Sequence, residues 1–125
     1  MTANLYAAWI AFFLGAVAGL VSGVFFHRES WLGGYGSWSR RMVRLGHIAW
    51  FGIGILNLAF ALTVRVFGIE GNAGATSVLL IVGVVTMPLV CYLSAFRAAY
   101  RHLFAVPALS VLVGIALFVW RLVAT

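Results

Sequence analysis

The sequence predicts an all-α integral membrane protein that folds as one four-helix transmembrane bundle over residues 1–125. Hydrophobic residues make up 65% of the chain, and the mean hydropathy is +1.13. Asp, Glu, Lys and Arg make up only 8%, whereas they account for about a quarter of a soluble domain. Four apolar runs each approximate the roughly 20 residues that cross a bilayer as a helix. We therefore expect no soluble catalytic domain and no second domain.

The four predicted spans occupy almost the whole chain, at about residues 5–26, 46–67, 76–96 and 104–124. The first span is long and has little positive charge before it, so we expect it to be a retained helix and not a cleaved signal peptide. Ser39 is predicted to cap the second helix, Thr76 or Ser77 the third, and Pro107 suits the first turn of the fourth.

The long connection at 28–45 contains two Trp and one Tyr among glycines and arginines. Aromatic side chains at this density favour the lipid interface, so the connection is expected to lie along the membrane. Cys91, the only cysteine, falls within the third span, which excludes a disulfide inside one chain.

The basic residues are all arginines, and six of the eight fall in the first and third connections. These six are Arg28, Arg40, Arg41, Arg44, Arg97 and Arg101. The positive-inside rule then predicts that both of these connections are cytoplasmic and that both termini lie on the non-cytoplasmic side, with the bacterial inner membrane as the expected location. Because the arginines flank apolar spans, they match anionic headgroups and not nucleic acid.

A stripe of small residues runs along the first span, where Gly15, Gly19, Gly23 and His27 recur every four residues. Residues at this spacing share one face of a helix, so the stripe predicts a groove. Glycines at this spacing allow another helix to approach closely, and a flat cofactor is the alternative occupant. In the second span Gly54 is predicted to pack similarly, seven residues after His47.

The three histidines are predicted to lie at one membrane face, at the ends of different spans. Histidines on different helices are usual axial ligands of a membrane haem, so His27 and His47 are the predicted ligand pair for haem b. His102 lies between arginines and is expected to be an interfacial residue. Nearby arginines can pair with the haem propionates, and the predicted partners are Arg40, Arg41, Arg44 and Arg101.

A bare metal ion is the alternative occupant, held by His27, His47 and His102. Met87 and Cys91 lie one turn apart and could add the soft ligands that Cu(I) prefers, although packing explains these two residues more simply.

Other functions are weighed by what the sequence lacks. The only carboxylates, Glu29 and Glu70, fall in connections, whereas proton-driven transporters carry one within the bilayer. Paired carboxylates and a Ser/His/Asp set are also missing, so the chain is not expected to be an enzyme.

The leading hypothesis is a small, non-catalytic membrane subunit of a larger respiratory or photosynthetic-type electron-transfer complex, holding haem b near its cytoplasmic face. The alternative is a homo-oligomeric transport protein for small solutes or metal ions. The expected partners are the lipid bilayer and either other membrane subunits or copies of the same chain, with no nucleic acid.

Overall fold

The computed structural model describes all residues, 1–125, and contains four long helices and no strand. The helices are α1 (Thr2–Phe26), α2 (Trp38–Phe67), α3 (Gly74–Phe96) and α4 (Ala105–Ala124). Each of the four is long and apolar enough to cross a membrane. The chain is therefore an all-α, four-helix transmembrane bundle, as the composition predicts.

The second helix begins earlier than its hydropathy indicates, at Trp38 and not near residue 46. Its cap is Ser37, whose hydroxyl accepts the Arg40 N–H at 3.2 Å, so the prediction of Ser39 as the cap is wrong. The Ser39 hydroxyl instead donates to the Ala95 carbonyl at 2.6 Å, and the Trp38 indole donates to the Ser94 carbonyl at 2.8 Å. These bonds to the end of α3 hold the polar first turns of α2 in the bundle.

The third helix also begins earlier than predicted. Gly74 is its first residue, so Thr76 and Ser77 lie inside the helix, where both are buried, and neither is a cap. The Pro107 prediction is confirmed, because this residue stands in the first turn of α4. At the end of α2, Gly68 adopts the left-handed conformation (φ 65°) that commonly terminates a helix.

The central helices are α2 and α3, which pack on each other and are the most buried of the four. Helix α1 packs mainly on α2, and α4 packs mainly on α3. Glycines lie at these contacts: a Cβ on Gly83 of α3 would collide with Val111 of α4, and a Cβ on Gly46 of α2 would lie 2.9 Å from the Tyr92 ring of α3. Close backbone approach thus holds the bundle together, as is usual where lipid replaces water around the helices.

A buried polar cluster joins α1, α2 and α3 through Asn4, Asn57 and Ser77. The Asn4 amide donates to Asn57 Oδ1 at 2.7 Å, and the Ser77 hydroxyl donates to Asn4 Oδ1. The Asn57 amide donates to the carbonyls of Ile53 and Leu80, each at 3.0 Å. Every amide in the cluster therefore has a partner within the chain, which offsets the cost of burying it away from water.

Candidate functional site

The groove along α1 is occupied by side chains of α2 over most of its length. A Cβ placed on Gly15 would lie 2.8 Å from Cε2 of Phe51 and 2.9 Å from Cβ of Trp50. A Cβ placed on Gly19 would lie 2.5 Å from Cε1 of His47. These positions have no room for a side chain, because α2 already fills the space that the glycines leave.

The contact is reciprocal farther along α2, where a Cβ on Gly54 would lie 2.8 Å from the Phe12 ring of α1. Gly23 differs from the other stripe glycines, since no atom lies within 4 Å of the position that its Cβ would take. The groove is therefore closed around Gly15 and Gly19 and open around Gly23.

His47 lies where the closed part of the groove meets the open part. Its Nδ1 is 3.0 Å from the Gly15 carbonyl oxygen. A carbonyl can only accept a hydrogen bond, so Nδ1 is the donor, and in the neutral form of the ring Nε2 is the nitrogen with the free lone pair. The ring edge also packs on Phe51, with the centroids 5.4 Å apart. These contacts fix the ring orientation and leave Nε2 without a hydrogen-bond partner in the chain.

A cavity of about 250 Å³ follows His47 along the open part of the groove. It is lined by Gly19, Ser22, Gly23, Phe26, Val43, Arg44 and His47, and we call it the α1–α2 cavity. Gly23 and Arg44 are both exposed, so the cavity opens sideways between the two helices. It extends to Phe26, the last residue of α1, and therefore reaches the end of the bundle.

Arg40 organises the connection between α1 and α2. Its side chain is fully buried, and its Nε donates to the Trp31 carbonyl at 2.7 Å. Further guanidinium N–H groups donate to the carbonyls of Phe26 and Arg28. The guanidinium carbon lies 4.3 Å from the centroid of the Tyr35 ring, within the range of a cation–π contact.

These contacts change the interpretation of Arg40. Sequence analysis predicted a propionate partner, but the guanidinium is buried and engaged with backbone carbonyls. One of these, the carbonyl of Phe26, belongs to the last turn of α1, where a cation also compensates the negative end of the helix dipole. Arg40 therefore stabilises the connection and is not available to an anionic cofactor.

The other predicted arginines are exposed at the same end of the bundle, as are His27 and His102. Arg41 and Arg44 follow Arg40 on α2, and Arg101 lies in the short 3-10 helix Ala98–Phe104 that joins α3 to α4. Six arginines stand at this end with a single carboxylate, Glu29, among them. The end therefore carries a large excess of positive charge.

The predicted metal site of His27, His47 and His102 does not form, because no group of three potential ligands comes together. His27 is the C-cap of α1, about 12 Å along the helix axis from Gly19, on which the His47 ring lies. His102 is on the exposed 3-10 helix after α3. Cys91 is fully buried, and its Cβ is 3.2 Å from the position of a Cβ on Gly46, while Met87 packs beside the cluster around Ile53 and Val84.

Haem b between His27 and His47 does not fit this arrangement. Two axial ligands must face each other across one iron, each at a metal–nitrogen distance of about 2 Å. The cavity beside His47 is not lined by His27. The ring of His47 also fills the groove at Gly19, which the sequence offered to a flat cofactor.

Sequence reasoning missed the fixed roles of Arg40 and Asn4. The signal for Arg40 was the aromatic and glycine-rich WLGGY segment just before it. Backbone carbonyls outside a long helix need hydrogen-bond donors from elsewhere, and Arg40 supplies one to Trp31. Asn4 lies at the polar start of the first apolar run, where it resembled an ordinary end residue.

No protein-family model, curated protein or solved structure matches the chain.

Proposed function

We propose that the chain is a small integral membrane subunit, without chemistry of its own, that belongs to a larger respiratory or photosynthetic-type complex. The observation that carries the proposal is the uneven burial of the helices. Helix α1 is the least buried of the four, followed by α4, whereas α2 and α3 form the interior. The inner face of α1 is nevertheless fixed tightly on α2 through Gly15 and Gly19. Its outer face is thus held in place and left free for contact with lipid or protein.

The outer surface supports a protein partner in addition to lipid. Large side chains stand out from α1, with Tyr6 and Phe13 each 67% exposed. On α2, Gly52 is exposed, and no atom lies within 4 Å of the position of its Cβ. Exposed glycine on a transmembrane helix allows a second helix to approach closely, which the glycines inside this bundle already illustrate.

A transport function has less support from the geometry. Between the helices, buried amides and a hydroxyl cluster at Asn4, Asn57 and Ser77, and these groups bond to one another and to backbone carbonyls. Polar groups that serve a transported solute have to exchange partners with it. The amides of this cluster are instead engaged in holding three helices together.

The electron-transfer part of the proposal does not rest on a haem held by this chain. Because His27 does not line the cavity beside His47, the redox cofactors of such a complex would belong to its other subunits. The role proposed for this chain is to occupy a position beside them and to supply a lipid-facing helical surface.

The experiment compares the chain in its own membranes with the purified chain. Membranes of the organism that encodes it are solubilised in a mild detergent and separated by native gel electrophoresis, with the chain detected through an epitope tag. The proposal expects a discrete band far heavier than the 13.5 kDa chain, with a haem redox difference spectrum that copurifies at constant stoichiometry. Migration identical to that of the purified chain would contradict it.

A variant locates the surface that makes the contact. Gly52→Leu places a side chain in open space, so the purified variant should melt at the temperature of the unchanged chain. In membranes, the same variant should dissociate from the heavy band if a partner helix covers this face of α2. Retention of Gly52→Leu in the complex would assign the contact to α1 or α4.

A further inference from the structure

We infer that the α1–α2 cavity binds the headgroup and upper acyl region of an anionic phospholipid that carries headgroup hydroxyls, such as phosphatidylglycerol. Arg44, Ser22 and His47 line this cavity at the end of the bundle, and its wall is otherwise almost wholly apolar.

Size favours a ligand that extends beyond the cavity. Sites that enclose a small molecule usually measure about 300–1,000 Å³, and this cavity measures about 250 Å³ with an open side. A phospholipid meets this condition, because only its headgroup region and the first part of one chain need to enter. The remaining acyl length stays in the bilayer beside α1.

Charge favours an anion. Arg44 lines the cavity, and the neighbouring Arg40 cannot take its place because that guanidinium is buried and donates to backbone carbonyls. The end of the bundle holds six arginines and one glutamate, so Arg44 lies in a region of strongly positive potential. Basic pockets between transmembrane helices are suited to anionic headgroups, which they bind through phosphate oxygens.

The two other polar side chains complement a headgroup with hydroxyls. His47 Nδ1 donates to Gly15, so Nε2 of the neutral ring can accept a hydrogen bond from a glycerol hydroxyl. Ser22 also lines the cavity and can donate to a phosphate oxygen. The bond to Gly15 holds the imidazole in this orientation before any lipid arrives.

The apolar wall suits an acyl chain. Phe26 and Val43 line the cavity, and the open space at Gly23 gives access from the bilayer. A leucine at residue 23 would occupy this space without meeting a neighbouring atom at its Cβ. That substitution therefore blocks the cavity while leaving the helix contact at Gly19 intact.

The test measures lipid retention by the purified full chain in detergent, with native mass spectrometry at increasing concentrations of phosphatidylglycerol or phosphatidylcholine. The unchanged chain should retain phosphatidylglycerol preferentially. Arg44→Gln should weaken retention about fivefold, the factor expected for one basic residue near an anionic surface. Gly23→Leu should reduce it as well, through loss of space and with no change of charge.

Arg41→Gln is the matched control, because it removes the same charge from the same exposed segment of α2 but lies outside the cavity lining. It should retain the lipid nearly as well as the unchanged chain. If Arg41→Gln and Arg44→Gln lost the same amount of bound phosphatidylglycerol, the general positive charge of this end would explain the retention, and the proposed site would be wrong. Equal retention of the two lipids would also overturn it, as would a visible haem band that Gly23→Leu or Arg44→Gln removes.

Discussion

The imidazole of His47 lies directly over Gly19, with its Cε1 only 2.5 Å from the position that a Cβ on this glycine would take. The glycine stripe of α1 therefore accommodates the side chain of a histidine from α2. The same ring reaches back to the Gly15 carbonyl through Nδ1. One side chain thus contacts two successive glycines of the stripe and sets the register between α1 and α2.

Gly19→Leu should destabilise the protein by about 1–3 kcal/mol, the usual cost of overpacking a filled interior. The added side chain would have to displace the His47 ring and break its bond to Gly15. Gly23→Leu is the control, because it meets open space on the same face of the same helix. Thermal unfolding in detergent measures the stability of both variants. Equal melting temperatures would contradict the packing of the His47 ring on Gly19.

Arg40→Met should loosen the connection between α1 and α2. The substitution leaves the carbonyls of Phe26 and Trp31 without their buried donor, at a cost of about 1–3 kcal/mol for each group that water cannot reach. Hydrogen exchange should rise in residues 27–37 more than in the middle of α1. Arg41→Met removes the exposed arginine next to Arg40 and should leave hydrogen exchange in this connection unchanged. An equal rise of exchange in both variants would contradict the stabilising role of Arg40.

Asn57→Leu should destabilise the bundle more than Thr86→Ala, which removes a hydroxyl that bonds only within its own helix. Asn57 joins Asn4 of α1 to the Leu80 carbonyl of α3, and interhelical hydrogen bonds in membranes contribute about 0.6–2 kcal/mol each. Thr86→Ala is the comparison, since the Thr86 hydroxyl donates only to Val82 on the same helix. If the two variants unfolded at the same temperature, the cluster would contribute nothing beyond local bonding.

The purified chain, produced with excess haem in the medium, should lack low-spin haem b, because His27 and His47 do not face a common site. The pyridine haemochrome assay gives the haem content per mole of protein. His27→Ala and His47→Ala should match the unchanged chain in this assay. Near-stoichiometric haem that disappears in both variants would restore the bis-histidine interpretation and require α1 and α2 to shift.

Hydropathy predicted the number of helices because crossing a bilayer is a local property of about 20 consecutive residues. It located the start of α2 poorly. The first turns of that helix contain three arginines, and they stay helical because Trp38 and Ser39 bond to the end of α3. A window average along one segment contains no information about bonds to a segment 56 residues away.

By itself, the sequence determined the membrane class, the four helices, the two connections that carry most of the positive charge, and the glycine stripe that forms a groove. Each of these follows from residue type and spacing within one segment. Only the tertiary structure decided that His47 fills the groove at Gly19, that Arg40 is buried while Arg44 lines a cavity, and that the three histidines form no common metal site. Those outcomes depend on how far one helix is rotated and shifted against the next. Rotation and shift are set by contacts such as that between Gly19 and His47, which join residues far apart in the chain.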